Sequence, residues 1–192
     1  MNPIGEHLRK SAALIAAMAD WPAAASADRA VEAIAAAFKQ RKPLLVCGNG
    51  GSASDASHIA GELVGRFLKE RRALKCICLS ADSAILTAWS NDYGYNSVFA
   101  RQVEAYGEPG GVLWGISTSG NSPNVVEAFV KARELGMTTL ALTGQGGGKL
   151  ASLSDILIDV PSRHTPDIQQ VHVCLYHYIC EAVEAACAGA SG

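Results

Sequence analysis

Three residues with reactive or charged side chains recur at every fourth position in one segment of the chain: His58, Glu62 and Arg66. On an α-helix this spacing places the three side chains on one face. Histidine and glutamate one turn apart can chelate a metal ion or move a proton. A glutamate in the context GELVGRF is also common on a solvated helix surface, so the spacing alone leaves both interpretations open.

The helix that would carry these residues follows a strand and a glycine-rich loop. Residues 44–47 are a short apolar run after a proline, which is typical of a buried parallel strand. Residues 48–51 read Gly-Asn-Gly-Gly, which lets the backbone turn tightly and approach a ligand. Ser52 and Asp55 form an S-x-x-D pattern that predicts the helix start. Because a helix N-terminus favours anions, this loop is a candidate phosphate site.

The same loop also matches a dinucleotide-binding pattern, G-x-G-x-x-A, from Gly48 to Ala53. That pattern requires an acidic residue at the end of the next strand, about 20 residues further on. Glu70 has this spacing but precedes the predicted strand, and Asp82 follows the strand but lies too far along the chain. We therefore favour a phosphate over a dinucleotide.

A second polar loop, residues 117–122, follows a later strand and reads Ser-Thr-Ser-Gly-Asn-Ser. Hydroxyl and N–H groups without a lysine suit a phosphate monoester that arrives as part of a sugar. An ordinary polar turn is the alternative, but four hydroxyls between a strand and a helix favour the phosphate. Ser122 followed by Pro123 predicts the N-cap and first residue of that helix.

The final predicted helix carries three more candidates: Gln169, His172 and His177. The two histidines are separated by roughly 140° around the helix axis, so they should not serve one site. Gln169 and His177 differ by roughly 80° and about 12 Å of rise, so they converge on one ion only by reaching toward each other. By spacing alone, a structural role is the more common one for each histidine.

These residues need a scaffold, and the alternation of short apolar strands with helices predicts an open α/β fold with helices on both faces of a parallel sheet. Strands are predicted at 44–47, 74–80, 112–116, 138–143 and 155–160; helices are predicted at 3–19, 26–40 (N-cap Ser26), from Ser52, at 85–90, from Ser122 and at 165–188, with a loop at 91–96. Because parallel strands end at one edge, both polar loops should lie there.

The composition fits one domain, since the 192 residues are 49% hydrophobic, and the net charge of −2 argues against a nucleic-acid surface. With no signal core and no apolar run of ~18 residues, we expect a cytoplasmic protein that does not enter a membrane. The cysteines lack a C-x-x-C pair and are interpreted as reduced core thiols: Cys47, Cys76, Cys78, Cys174, Cys180 and Cys187. The last helix is apolar nearly all round, which favours a homo-oligomer over burial within one monomer.

Four motifs in register resemble the sugar isomerase (SIS) domain family, and within it the phosphoheptose isomerase branch. They are CGNGGSASDASHIAGEL (47–63), ND (91–92), STSGNSPN (117–124) and TPDIQQVHVCLYH (165–177). The resemblance implies a single SIS domain over residues 1–192 with a three-layer αβα fold around a five-stranded parallel sheet. Residues 1–40 would be N-terminal helices that contribute to the oligomer, and residues 41–192 would supply the sheet core and the C-terminal helix. It further implies a homotetramer with active sites at subunit interfaces.

The implied activity is interconversion of sedoheptulose 7-phosphate and D-glycero-D-manno-heptose 7-phosphate, which feeds heptose synthesis for the lipopolysaccharide core or another surface glycan. The catalytic residues of the family match Glu62 and His177. One zinc ion per subunit matches His58, Glu62, Gln169 and His177. Substrate-binding positions match Asn49, Gly50, Gly51, Glu62, Asn91, Asp92, Ser117, Thr118, Ser119, Ser122 and Gln169. Two positions depart from the family pattern, Ser57 for a glutamine and Gln170 for a glutamate, and neither is a matched site residue.

Two other functions fit parts of the resemblance. A non-catalytic branch of the family, which includes an initiator-associating protein that binds DnaA, keeps the two loops but lacks the catalytic glutamate and histidine. This chain has both Glu62 and His177, which favours the enzyme. Isomerases for other sugar phosphates, such as arabinose 5-phosphate, often carry an appended regulatory domain, for which we expect no room in 192 residues.

Overall fold

The computed structural model describes residues 2–188, which form a five-stranded parallel sheet flanked by helices. The strands are β1 (Leu44–Gly48), β2 (Cys76–Cys78), β3 (Val112–Ser117), β4 (Thr138–Thr143) and β5 (Ile156–Asp159), arranged in the order β2-β1-β3-β4-β5. The helices are α1 (Pro3–Met18), α2 (Ala25–Lys39), α3 (Gly51–Val64), α4 (Ser83–Tyr93), α5 (Val98–Tyr106), α6 (Pro123–Glu134) and α7 (Thr165–Cys187). Short 3₁₀ turns occupy Pro22–Ala24, Tyr95–Ser97 and Gly148–Leu153. The predicted α/β class and parallel sheet are confirmed.

Successive residues of β1 pack into two separate cores, because a strand points alternate side chains to opposite faces. Leu44 and Val46 pack with residues of α2 and α7, whereas Leu45 and Cys47 pack with residues of α5 and α6. Every residue of β1 and of β3 is buried. Because helices cover both faces of the sheet, these strands are continuous apolar runs in the sequence.

Several predicted boundaries are wrong. Ser26 does not cap α2, because the Pro22–Ala24 turn already has helical geometry and leads directly into the helix at Ala25. β2 is three residues long instead of seven. Asn91 and Asp92 belong to the end of α4 and not to a loop. Helix α5 was not predicted at all; its nine residues are too few for a clear periodic pattern.

The start of α3 also differs from the prediction. The helix begins at Gly51 with Gly50 as its N-cap, so Ser52 and Asp55 lie inside it and form no capping box. Gly50 has φ +56°, a backbone conformation that glycine adopts without strain. Within residues 2–188, Asp55 Oδ2 is buried without a hydrogen-bond partner, and burial raises the pKa of this carboxyl despite the nearby His58.

Helix α7 packs against α1, α2 and α3 and is the longest helix, with 23 residues. Its His172 is buried and donates from Nε2 to the backbone oxygen of Thr143 at 3.1 Å. Burial lowers the pKa of His172 to about 4, so it stays neutral and structural, as its spacing indicated. Neither α7 nor any other helix within residues 2–188 is long and apolar enough to cross a lipid bilayer.

All six cysteines are free thiols, but not all of them lie in the core. Cys47, Cys76, Cys180 and Cys187 are buried, whereas Cys78 is only partly covered. Cys174 is exposed on the outer side of α7, so its prediction as a core thiol is wrong. The apolar character of its neighbours in the sequence hid the fact that this side of the helix is uncovered.

Candidate active site

The two polar loops meet where the order of the strands reverses. In a sheet with the order β2-β1-β3-β4-β5, the crevice at the carboxyl ends of β1 and β3 is the expected ligand position. Asn49 after β1 and Asn124 after β3 exchange two side-chain amide hydrogen bonds of 2.9 Å each across this crevice. Tyr95 donates a third bond of 2.9 Å to Asn49 Oδ1. The glycine loop is therefore tied to the first turn of α6, directly after the serine loop, and both loops lie at one edge of the sheet as predicted.

The serine loop, residues 117–122, presents several hydroxyl groups in a fixed arrangement. Ser122 stands at the N-cap position of α6 as predicted, but its hydroxyl bonds to Ser117 Oγ at 2.9 Å and not to the helix backbone. Asn121 donates from Nδ2 to the Ser119 carbonyl at 2.8 Å and accepts from the backbone N–H of Lys149 at 3.0 Å. These bonds brace the loop internally and tie it to the 3₁₀ turn at Gly148–Leu153.

A cavity of about 290 Å³ adjoins the serine loop. Its lining residues are Thr118, Ser119, Asn121, Gln145, Gly148, Ser162 and Arg163. The sequence analysis did not single out Arg163, because nothing in the chain order links it to a loop more than forty residues earlier. A guanidinium beside several hydroxyl groups suits a phosphate monoester.

The glycine loop contacts α7 through Gln169. A Cβ atom added at Gly51 would overlap Nε2 of Gln169, so the amide of this side chain lies directly against the loop backbone. Gln169 thus joins the beginning of α3 to the first turns of α7. This contact agrees with a shared site for Gly51 and Gln169.

His58, Glu62 and His177 come together between α3 and α7. One potential ligand atom from each of the three lies within 4.8 Å of the other two. His58 Nε2 and Glu62 Oε1 are 3.0 Å apart, and the His58 and His177 rings lie at 5.0 Å. The Glu62 side chain is 21% exposed, so it is neither a freely solvated residue nor a core residue. The proximity of these three side chains agrees with an acid–base or metal site.

Tyr176 is a site residue that the sequence analysis missed. Its hydroxyl donates to His58 Nδ1 at 3.0 Å, so the other ring nitrogen carries the proton donated to Glu62. Burial, reinforced by the negative charge of Asp55, raises the pKa of Tyr176 to about 12, which keeps the phenol protonated. Tyr176 follows Gln169 by seven residues, about 20° around the helix, and this spacing could have identified it.

His177 has a defined tautomer as well. Its Nδ1–H donates to the backbone oxygen of Val173 at 2.8 Å, which leaves the lone pair of Nε2 available to a proton or a metal. The ring of Phe67 packs against it at 5.9 Å with an interplanar angle of 31°. Sequence spacing could not show this contact, because Phe67 lies in the segment after α3.

Arg66 is placed differently from its prediction, whereas the substrate-binding role of Asn91 and Asp92 stays a prediction. Helix α3 ends at Val64, so Arg66 does not share the face of His58 and Glu62; it is exposed and lies 3.8 Å from Glu70. The prediction for Arg66 is therefore wrong. Asn91 and Asp92 hydrogen-bond to each other at 3.0 Å, and within residues 2–188 their side chains bond to no other predicted site residue.

The donor set of the His58–Glu62–His177 cluster fits a catalytic zinc ion. Two imidazole nitrogens and one carboxylate oxygen are a common set of three protein ligands that leaves a fourth position open. With a metal on Nε2 of His58, Nδ1 would carry the proton and donate it to the Tyr176 hydroxyl, just as Nδ1–H of His177 donates to the Val173 carbonyl, and outer contacts of this kind orient such ligands.

The fold and the site define an α/β protein with an open parallel sheet and two polar loops at the carboxyl ends of β1 and β3, where such folds bind ligands. A sequence model of the SIS domain matches residues 6–144. The chain belongs to the SIS domain family. The predicted family is thereby confirmed.

Individual members of the family show which proteins this chain is similar to. The chain is 52% identical to a phosphoheptose isomerase of Crocosphaera subtropica, over 82% of this chain and 81% of that protein. It is 50% identical to a phosphoheptose isomerase of a Bradyrhizobium species, over 95% of this chain and 93% of that protein. The structure of phosphoheptose isomerase GmhA from Neisseria gonorrhoeae superposes with a TM-score of 0.89 at 38% identity, covering 95% and 97% of the two chains.

Proposed function

We propose that this chain is an aldose–ketose isomerase that converts sedoheptulose 7-phosphate to D-glycero-D-manno-heptose 7-phosphate. The observation that carries the proposal is the convergence of Glu62 and His177 from two helices, one of which begins at the glycine loop. Relatives at 50% identity or more, aligned over most of their length, bear the name phosphoheptose isomerase. The product would feed the heptose of lipopolysaccharide or another surface glycan, with the reaction in the cytoplasm, where free thiols persist.

Glu62 would act as the base at carbon. Conversion of the ketose removes a proton from C1, passes through an enediolate and returns a proton to C2, so one carboxylate can serve both carbons. His58 donates to Oε1 of Glu62, which leaves Oε2 to take and return the proton. The hydrogen bond to His58 also fixes the orientation of the carboxylate.

His177 would move protons on the oxygens. Because its Nδ1–H is held by the Val173 carbonyl, only Nε2 can exchange a proton with the substrate. The substrate oxygens must gain and lose one proton as the carbonyl moves from C2 to C1, and an imidazole suits this task near neutral pH.

The serine loop and Arg163 would bind the phosphate group at the far end of the sugar. The hydroxyls of Thr118 and Ser119 line the same cavity as Arg163, and the N-terminus of α6 begins next to the loop. Binding energy from this phosphate would orient the reacting carbons at Glu62.

We also propose a zinc ion held by His58, Glu62 and His177, with Gln169 as the fourth ligand. Because the ion would occupy the same atoms of Glu62 and His177 that move protons, its coordination to these two residues would have to loosen or change during turnover. When bound, zinc would polarise the substrate carbonyl as a Lewis acid. The support is the donor set and the spacing of its atoms. Gln169 would have to turn from Gly51 toward the cluster to complete the set.

The experiment is isomerisation of sedoheptulose 7-phosphate by the purified protein before and after chelation, followed by addition of zinc. We expect activity at the start, a loss of at least tenfold on chelation and recovery with zinc. Calorimetric titration of zinc into the apoprotein should show binding that His58→Ala weakens by more than about 100-fold, since loss of an outer contact alone costs about 10- to 100-fold, while His7→Ala on α1 leaves it unchanged. Activity that does not change on chelation would support the isomerase and contradict the zinc site. A lack of activity with every divalent ion tested would contradict the proposed substrate.

The oligomer is a further part of the proposal. Helix α1 exposes Ile4, Leu8 and Ile15, and α7 exposes Tyr178 beside an apolar cavity of about 570 Å³. An exposed apolar face of this kind is typical of a protein–protein interface. We propose that residues 1–40 and α7 form the contacts of a homotetramer.

Light scattering should give a molar mass of about 80 kDa, four times the 20.0 kDa of one chain. Leu8→Glu should shift the mass toward smaller species, because a charge at the centre of an apolar contact opposes its burial. A wild-type mass of one chain would contradict the proposal.

A further inference from the structure

The segment that follows α3 folds around one buried carboxylate on α7. Glu184 accepts hydrogen bonds from three successive backbone N–H groups: Phe67 at 2.9 Å, Leu68 at 2.6 Å and Lys69 at 2.8 Å. Its side chain is 1% exposed. Burial opposes ionisation, but the three N–H groups and the adjacent Arg71 outweigh it and lower the pKa of Glu184. Glu184 is therefore an anion at neutral pH, held by a loop shaped to receive it.

Arg71 completes this buried pair and reaches back to α3. Its Nη2 lies 3.2 Å from Glu184 Oε1 and donates to the backbone oxygen of Glu62 at 2.8 Å. Its Nη1 donates to the backbone oxygen of Gly65 at 2.8 Å. The last carbonyls of a helix have no partner within the helix, and Arg71 supplies one here. One guanidinium thus connects the end of α3, including the backbone of Glu62, to α7.

The same pair also acts on His177. Glu184 follows His177 by seven residues, so the two side chains lie on nearly the same face of α7, about 10 Å apart along the axis. By fixing Phe67, Leu68 and Lys69, Glu184 determines where the Phe67 ring meets the His177 ring. Gln169 against Gly51 joins the two helices at their other end.

We infer that Glu184 and Arg71 are positioning residues that set the separation and orientation of Glu62 and His177 through the segment 65–71. Neither residue touches the reacting groups. Burying an ion pair gives little net stability, because desolvation of both charges offsets their attraction. The Glu184–Arg71 pair therefore needs a role other than stability, and fixing the geometry of the site is such a role. The catalytic part of this inference rests on the proposed isomerase.

The test replaces Glu184 with glutamine, which keeps the shape but removes the charge and one acceptor oxygen. We expect kcat to fall about 10- to 100-fold with KM within about threefold, because displacement of a catalytic group by even 1 Å can cost 100-fold. The control is Glu127→Gln, which changes an exposed glutamate on α6, outside the helices proposed to form the oligomer, and should leave kcat unchanged. A lower melting temperature with an unchanged kcat, measured well below that temperature, would show a purely structural role and overturn the inference.

A second readout does not depend on catalysis. The imidazole Cε1–H signal of His177, assigned by its loss in His177→Gln, reports the position of the Phe67 ring by NMR. Glu184→Gln should shift this signal and Glu127→Gln should not; an unmoved signal in Glu184→Gln overturns the inference even if the chain isomerises a different sugar. If Glu184→Gln does not fold, Phe67→Leu, which leaves the ion pair intact, should shift the same signal and lower kcat about 3- to 10-fold. The absence of both effects in Phe67→Leu would equally overturn it.

Discussion

Glu62→Gln should lower kcat about 100- to 10,000-fold, the range that general-base catalysis contributes. Glutamine has the size of glutamate and can still accept the hydrogen bond that His58 donates to Oε1, so the fold and the His58 orientation should persist. It cannot take a proton from carbon. The measurement is kcat with sedoheptulose 7-phosphate, together with the far-ultraviolet circular dichroism spectrum and the melting temperature.

Deuterium exchange separates loss of the base from loss of binding. Wild-type enzyme in heavy water should incorporate deuterium at the substrate carbon that exchanges its proton, and Glu62→Gln should abolish this incorporation while the substrate still binds. Glu127→Gln, at an exposed position of α6, is the control for removing one carboxylate outside the site. A turnover number close to that of the wild type in Glu62→Gln would contradict the assignment of Glu62 as the base.

Gly120→Ala should damage both the serine loop and the stability of the protein. Gly120 has φ +64°, and a Cβ atom there would overlap the backbone oxygen of Gly147. The neighbour is backbone and cannot move aside as a side-chain end would. We expect the free energy of unfolding to fall by about 2–4 kcal/mol, from strain at positive φ and overpacking together, and KM to rise more than tenfold as the loop shifts. Denaturant unfolding and steady-state kinetics would measure the two effects.

Gly146→Ala is the matched control for backbone strain. Gly146 also has a positive φ, +82°, but a Cβ atom there has nothing within 4 Å. The substitution should therefore cost only about 1 kcal/mol, the strain without the clash, and leave KM near its wild-type value. Equal effects of the two substitutions would contradict the close approach of the serine loop to Gly147.

The sequence was sufficient for the sheet and for both loops, because their signals are local. Buried strands such as residues 44–47 are continuous apolar runs, and the loops stand out by their glycines and hydroxyls. The pairing of His58 with Glu62 also follows from helical spacing alone. Helix ends were harder: Ser52 and Asp55 have the pattern of a cap, yet the flexible Gly50 starts the helix earlier.

The contacts between distant segments could not be read from spacing. Tyr176 reaches His58 and Phe67 reaches His177 only because α3 and α7 pack side by side. Glu184 is one glutamate among several in the chain, and nothing near it in sequence shows that three N–H groups of residues 67–69 surround it. Arg66 has the helical spacing of a site residue, but the helix ends before it.

The shape of the sheet limits how copies of this chain can join. Its two outer strands, β2 and β5, have three and four residues, whereas the inner β3 and β4 have six. A long open edge offers unpaired backbone groups on which another strand can add, and this is a common route to fibrils. Short edges offer few such groups. The protein can therefore present apolar helices to other copies at high concentration with little tendency to polymerise strand by strand.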